Sequence, residues 1–198
     1  MGKAKKPTKQ PEFTDLAPLL EPLAALQRLL TQFNNQGVII GGIAASLLGQ
    51  PRFTADLDAV IFLSTHDLPK LIEVAAQEGM VGRVADAEAF ARKNRVLLLL
   101  HESSGIKIDI SLGILPFEAE MIERGQEVLV SNIQLRLPTP EDLIIMKAVA
   151  HRPKDIGDIQ AIVASHPNLD KERIRFWVEQ FGNALDSPDL WNIISRLL

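Results

Sequence analysis

Gly41-Gly42 closes one short apolar run, Val38-Ile39-Ile40, and Asp56-Leu57-Asp58 opens another that continues to Leu63. Read as strand, turn, short helix and strand, this order constrains the chain more than any other segment. Two acids separated by one residue on a strand point to the same face, roughly 6–7 Å apart. Like charges so placed are unfavourable unless a cation lies between them, and a divalent ion is the common solution. A Gly-Gly turn at a helix start presents backbone N–H groups suited to phosphate oxygens. Metal and phosphate together point to nucleotide chemistry.

A third carboxylate is expected from a neighbouring strand, and Asp109 meets the requirement. In Ile106-Lys107-Ile108-Asp109-Ile110-Ser111 the polar residues alternate with isoleucines, which sets Asp109 on the polar face. Asp56, Asp58 and Asp109 are therefore the candidate ligands for Mg²⁺ or Mn²⁺. Gly41 and Gly42 are the candidate phosphate cradle. One ion or two remain open, because three carboxylates serve either arrangement.

The flanking pattern predicts an α+β chain. Leucines from Leu16 to Leu30, with Phe33, recur at helical spacing over about 15–34, with Pro22 near the first regular turn. Helices are expected over 44–48 and 67–78, the latter with Ser64 or Thr65 as cap. Hairpin signals join 96–101 to 106–112 and 128–130 to 133–137. From Pro138 onward strand signals vanish, and three or four helices follow, the first opened by Thr139-Pro140-Glu141-Asp142. The expected organisation is a basic disordered tail over 1–12, an αβ domain over 13–137 and a helical region over 138–198 packed on it.

Composition narrows the alternatives. The 198 residues include 46% hydrophobic and 23% charged residues, as in a globular protein, and no Cys. Zinc–thiolate sites, disulfides and thiol nucleophiles are excluded, and a reducing cytoplasm is the expected location. No apolar run is long enough for a bilayer, so no membrane partner is expected. The net charge is −4, although Lys3, Lys5, Lys6 and Lys9 make the first residues basic. An acidic body argues against nonspecific duplex binding. His66, His101, His151 and His166 have no ligand spacing, and Trp177, Trp191, Phe176 and Phe181 are expected in the core of the helical region.

Gly41-Gly42-Ile43-Ala44, followed by Pro51-Arg52-Phe53-Thr54-Ala55-Asp56-Leu57-Asp58, resembles the signature of nucleotidyltransferases with the polymerase-beta-like fold. The Arg-x-Thr-x-Asp-x-Asp form is similar to small prokaryotic members of the AbiEii-type abortive-infection toxin group and their uncharacterised relatives. Met146-Lys147-Ala148 through Arg152, Asp155 and Asp158 resembles a helical motif of that group. The resemblance covers about 37–165 and implies a mixed sheet flanked by helices with a C-terminal helical region.

It also implies transfer of a nucleoside monophosphate from a nucleoside triphosphate to a hydroxyl. Asp56 and Asp58 would hold the metal and triphosphate, and Asp109 would help activate the acceptor. Gly42, Arg52, Lys147 and Asp158 join the candidate nucleotide-binding set, with Arg152 and Lys154 balanced between phosphate and solvent. Asp155 reads equally well as a first-turn acid stabilising its own helix. An RNA end, a protein hydroxyl and a small molecule all remain open as acceptors. The short helical region leads us to expect a partner or oligomer in acceptor recognition, including a cognate small protein of a toxin–antitoxin pair. The alternative is a nucleotide-binding, antitoxin-like module that transfers nothing.

Overall fold

The computed structural model describes residues 14–198. The basic tail assigned to 1–12 lies outside the described residues. A five-stranded mixed sheet forms the centre, in the order β1 (Gly37–Ile40), β2 (Asp56–Ile61), β5 (Ile106–Leu112), β4 (Val96–His101) and β3 (Met80–Gly82). The β2–β5 pair is parallel and the other pairs are antiparallel. A separate hairpin joins β6 (Gln126–Val130) to β7 (Ile133–Leu137).

Alternation along the central strands separates two faces. Leu57, Ala59 and Ile61 on β2, Ile108 and Ile110 on β5, and Leu97 and Leu99 on β4 are all buried. They form one cluster with Leu23, Leu26, Leu29 and Leu30 of α1 (Leu20–Gln32) and with Leu68, Leu71 and Val74 of α3 (Leu68–Gln77). The intervening residues Asp56, Asp58 and Asp109 consequently project from the opposite face. Burying an apolar face thus turns the carboxylates outward without any further device.

Between β1 and β2 lies α2 (Gly41–Leu48), which starts immediately at the Gly-Gly pair. The C-terminal part contains α6 (Pro140–Ala150), α7 (Pro153–Ser165), α8 (Lys171–Ala184) and α9 (Leu190–Ile194). Thr139 caps α6, its hydroxyl accepting from Asp142 N–H at 3.3 Å. His151 ends α6 in the left-handed region at φ 46°, and α7 begins two residues later, so the two helices turn sharply against each other.

The first helix begins at Leu20, with Pro22 in its first turn as expected, and Thr14–Leu19, which includes Pro18, forms a 3-10 turn ahead of it. Strand β3 and helices α4 (Ala87–Asn94) and α5 (Pro116–Glu123) were not anticipated. Each is short, and the apolar content of Ala87–Asn94 is too low to give a helical stripe. Trp177 and Phe181 pack against Phe117, with ring centroids 5.2 and 5.4 Å away, as expected of core aromatics, whereas Phe176 is 54% exposed.

Fully buried Asp142 fastens the helices: it accepts from Arg173 Nε at 2.7 Å and from Arg124 Nε at 3.3 Å. Removing it leaves Arg173, whose side chain is only 13% exposed, without that partner. Asp142→Ala is expected to lower stability by about 3 kcal/mol in urea unfolding. Arg124→Ala, whose loss falls on a side chain 40% exposed, should cost less.

Candidate active site

A cleft of about 170 Å³ opens where β1, β2 and the start of α2 meet α6 and α7. Gly41, Gly42, Arg52, Thr54, Asp56, Asp58, Lys147, Arg152 and Lys154 line it, together with apolar residues of α6. The segments separated in sequence as Gly-Gly, Asp-x-Asp and the Lys147–Lys154 region are therefore walls of one cavity. Asp109 borders this cavity through its neighbour: it is the cross-strand partner of Asp58 on β5.

The two glycines are required by close approach. Gly41 has φ +70°, and a Cβ there would lie 2.0 Å from Asp58 Oδ2. A Cβ on Gly42 would lie 2.5 Å from Thr54 Oγ1. Thr54 in turn donates to Asp56, with its Oγ1 3.2 Å from Asp56 Oδ1 and 3.3 Å from the backbone carbonyl. The helix start and the acidic strand are thus fitted together, and side chains larger than hydrogen would force them apart.

Burial holds the Asp58 carboxyl above the ordinary carboxylate range, and the charges of Asp56 and Asp109 push it further. Arg152 and Lys154 pull in the other direction without prevailing. Hard oxygen donors short of positive charge suit Mg²⁺ or Mn²⁺, and Mg²⁺ is commonly held by one or two carboxylates with substrate phosphates completing its shell. Asp56 and Asp58 beside the Gly41–Gly42 cradle fit that description. Among the described residues no group of three or more His, Asp or Glu side chains is arranged around a common metal position. Asp109 Oδ1 is instead hydrogen-bonded and ion-paired to Arg83 Nη2. Arg83 had no signal in the sequence, since it follows the three-residue strand β3.

The cationic wall differs from a simple row of phosphate ligands. Lys147 is 3% exposed, and its ammonium lies 2.5 Å from Asp158 Oδ2 and 3.2 Å from Asp155 Oδ1. Arg52 makes a two-pronged contact with Asp158, from Nε at 2.7 Å and Nη2 at 2.8 Å. Arg152 Nε donates to Asp155 at 2.7 Å. Lys147 therefore reaches the cleft as the hub of an ion-pair network, and Asp158 orients Arg52 from behind. Burial raises the pKa of Asp155 and Asp158, but the hydrogen bonds from Arg152, Arg52 and Lys147 outweigh it, leaving both below the ordinary value. Their contribution to stability is present at neutral pH and is lost as pH falls through the lowered native values.

The family described as "Nucleotidyltransferase of unknown function (DUF6036)" matches residues 17–180. The chain belongs to this nucleotidyltransferase family. Its fold is similar to the solution structure of the antibiotic-resistance factor ANT(2'')-Ia, at 14% identity and TM-score 0.58, covering 88% of this chain and 96% of that one. It is also similar to the crystal structure of an antigenic nucleotidyltransferase-like protein from Paracoccidioides brasiliensis, at 15% identity and TM-score 0.52, covering 92% and 93% of the two chains. No curated protein sequence matches. Among the described residues no helix is long and apolar enough to cross a membrane.

The raised pKa of Asp58 gives a stability prediction for the metal-free protein. Its native pKa lies above the unfolded value, so ionised Asp58 costs stability, increasingly as pH rises between those two values. Below the unfolded value both states are protonated and the cost disappears. Asp58→Asn in chelator is expected to raise the melting temperature at pH 7 and to lose that advantage towards pH 3. Thermal melts across this range check it.

Proposed function

We propose that this family member is a metal-dependent nucleotidyltransferase that moves a nucleoside monophosphate from a nucleoside triphosphate to a hydroxyl acceptor. The observation that carries the reading is the meeting, in one cleft, of a backbone cradle at Gly41–Gly42, the paired carboxylates Asp56 and Asp58, and a cationic wall from α6 and α7. Nucleotidyl transfer needs positioning and charge neutralisation more than covalent chemistry, and those are what this cleft offers.

In this reading residues 13–137 supply the cradle and carboxylates, and residues 138–198 supply the opposing wall. The N–H groups at the start of α2 receive outer phosphate oxygens. Asp56 and Asp58 would hold Mg²⁺ or Mn²⁺, which would supply charge neutralisation for the triphosphate. Arg52 lines the cleft, fixed by Asp158 and by its Nη1 donating to the Phe53 carbonyl at 3.3 Å, and its charge faces the triphosphate in this reading. Arg152 and Lys154 stand at the rim for the leaving phosphates. Asp109, freed from Arg83, accepts the proton of the attacking hydroxyl. The AbiEii-like toxin–antitoxin association and a cognate small protein partner gain no support from the family matched. Nucleotidyl transfer is therefore proposed without them.

Incubation with Mg²⁺ and each radiolabelled triphosphate, with and without total RNA or cell lysate, tests the reading. Label transfer is expected with the wild type and should fall to background with Asp58→Asn. Transfer unchanged in that variant would contradict the mechanism. Tight triphosphate binding with no transfer to any pool would point instead to a nucleotide-binding module.

A further inference from the structure

Asp56 and Asp58 are held by different means. Asp58 is half-buried and lies against the backbone of Gly41. Asp56, the first residue of β2, is exposed. An exposed carboxylate at a strand end can change rotamer, and a ligand that must be ordered at the moment of binding weakens the complex. One neighbour restricts it. The hydroxyl of Thr54 lies 3.2 Å from Asp56 Oδ1 and 3.3 Å from the Asp56 backbone carbonyl.

Thr54 is itself a fixed point. It is 7% exposed, and branching at Cβ leaves threonine few χ1 positions. Gly42 packs so closely on it that a Cβ there would lie 2.5 Å from Oγ1 and 3.0 Å from Thr54 Cβ. The chain just before it is tied to α2 through buried Ser46. That hydroxyl donates to the Arg52 carbonyl at 3.1 Å and accepts from the Arg52 N–H at 3.3 Å. The Arg52 guanidinium is anchored in turn on Asp158. The single hydrogen of the Thr54 hydroxyl is therefore delivered from a set place to one aspartate, whose side chain and carbonyl both stand within reach.

We propose that Thr54 is a positioning residue for Asp56: its hydroxyl holds Oδ1, leaves Oδ2 for a divalent cation, and so sets the metal affinity of the cleft without touching the ion. The inference rests on the reading that the cleft takes a metal and a triphosphate. Hydrogen-bond partners of metal ligands control affinity by about 10- to 100-fold, which is enough to decide whether a site fills at a given metal concentration. The two carboxylates then reach the same ordered state by separate routes, Asp58 through packing on Gly41 and Asp56 through a hydrogen bond. Gly42 serves both halves of the cleft, because its missing Cβ is what lets Thr54 stand where it does.

Thr54→Ser and Thr54→Ala separate the hydroxyl from the rest of the side chain, and neither adds atoms against Gly42, so both are expected to fold. Mn²⁺ is titrated into each protein and its binding read from the electron paramagnetic resonance of the free ion. Binding of a non-hydrolysable nucleoside triphosphate is read separately, in chelator, by calorimetry. Thr54→Ala should weaken Mn²⁺ binding about tenfold or more, and Thr54→Ser should keep most of the wild-type affinity. Triphosphate affinity in chelator should be the same in all three proteins. A role confined to the fold would lower the melting temperature of Thr54→Ala and leave its Mn²⁺ affinity alone. Unchanged Mn²⁺ affinity in Thr54→Ala, or an equal loss in Thr54→Ser, would overturn the proposal. Wild-type protein that binds the triphosphate but no Mn²⁺ would overturn it as well. Wild-type protein that binds neither would instead remove the reading on which it rests.

Discussion

Asp58 is a carboxylate held where charge is disfavoured. It is half-buried, next to Asp56 along the strand and Asp109 across it, and it occupies the space that a Cβ at Gly41 would fill. The sheet cannot relieve this arrangement without exposing the isoleucines and leucines of its other face, because strand alternation fixes both faces together. Stability of the core and charge crowding in the cleft are two consequences of one register. In the proposed function a divalent cation would relieve the crowding, and the N–H groups at Gly41–Gly42 would receive the phosphates that accompany it.

The second constraint is the network of Lys147, Asp155, Asp158, Arg52 and Arg152. It joins the loop before β2 to both helices of the opposing wall through contacts of 2.5–3.2 Å. The buried members, Lys147, Asp155 and Asp158, contribute little net stability as a set, yet breaking one of them leaves its partners uncompensated. Their value lies in geometry. They keep Arg52 aimed and the cleft at one width, which matters where catalysis depends on positioning. Arg83 and Asp109 form a smaller pair of the same kind on the far side of the acidic row.

Much of this was legible in the chain. The Gly-Gly turn, the Asp-x-Asp strand and the alternating 106–111 segment each carry a local period that forces a face, so Asp56, Asp58 and Asp109 fell on one side of one sheet as read. Their adjacency in register follows from the parallel β2–β5 pairing, which no local pattern specifies. Lys147 and Asp158 were legible as members of the site, but not as partners of each other, because the left-handed turn at His151 that brings α7 back against α6 occurs at a residue without a glycine signal. Arg83 was missed for a related reason: its role depends on β3 pairing with β4, a three-residue contact too short to mark the sequence. Local periodicity thus revealed which residues face the site, whereas tertiary pairing decided which of them touch.

The most direct measurement is anomalous diffraction from crystals grown with Mn²⁺ and a non-hydrolysable nucleoside triphosphate. A manganese peak is expected in contact with Asp56 and Asp58, with phosphate density at the backbone of Gly41 and Gly42. Nucleotide bound in the cleft with no metal at those carboxylates, or manganese bound away from them, would contradict it.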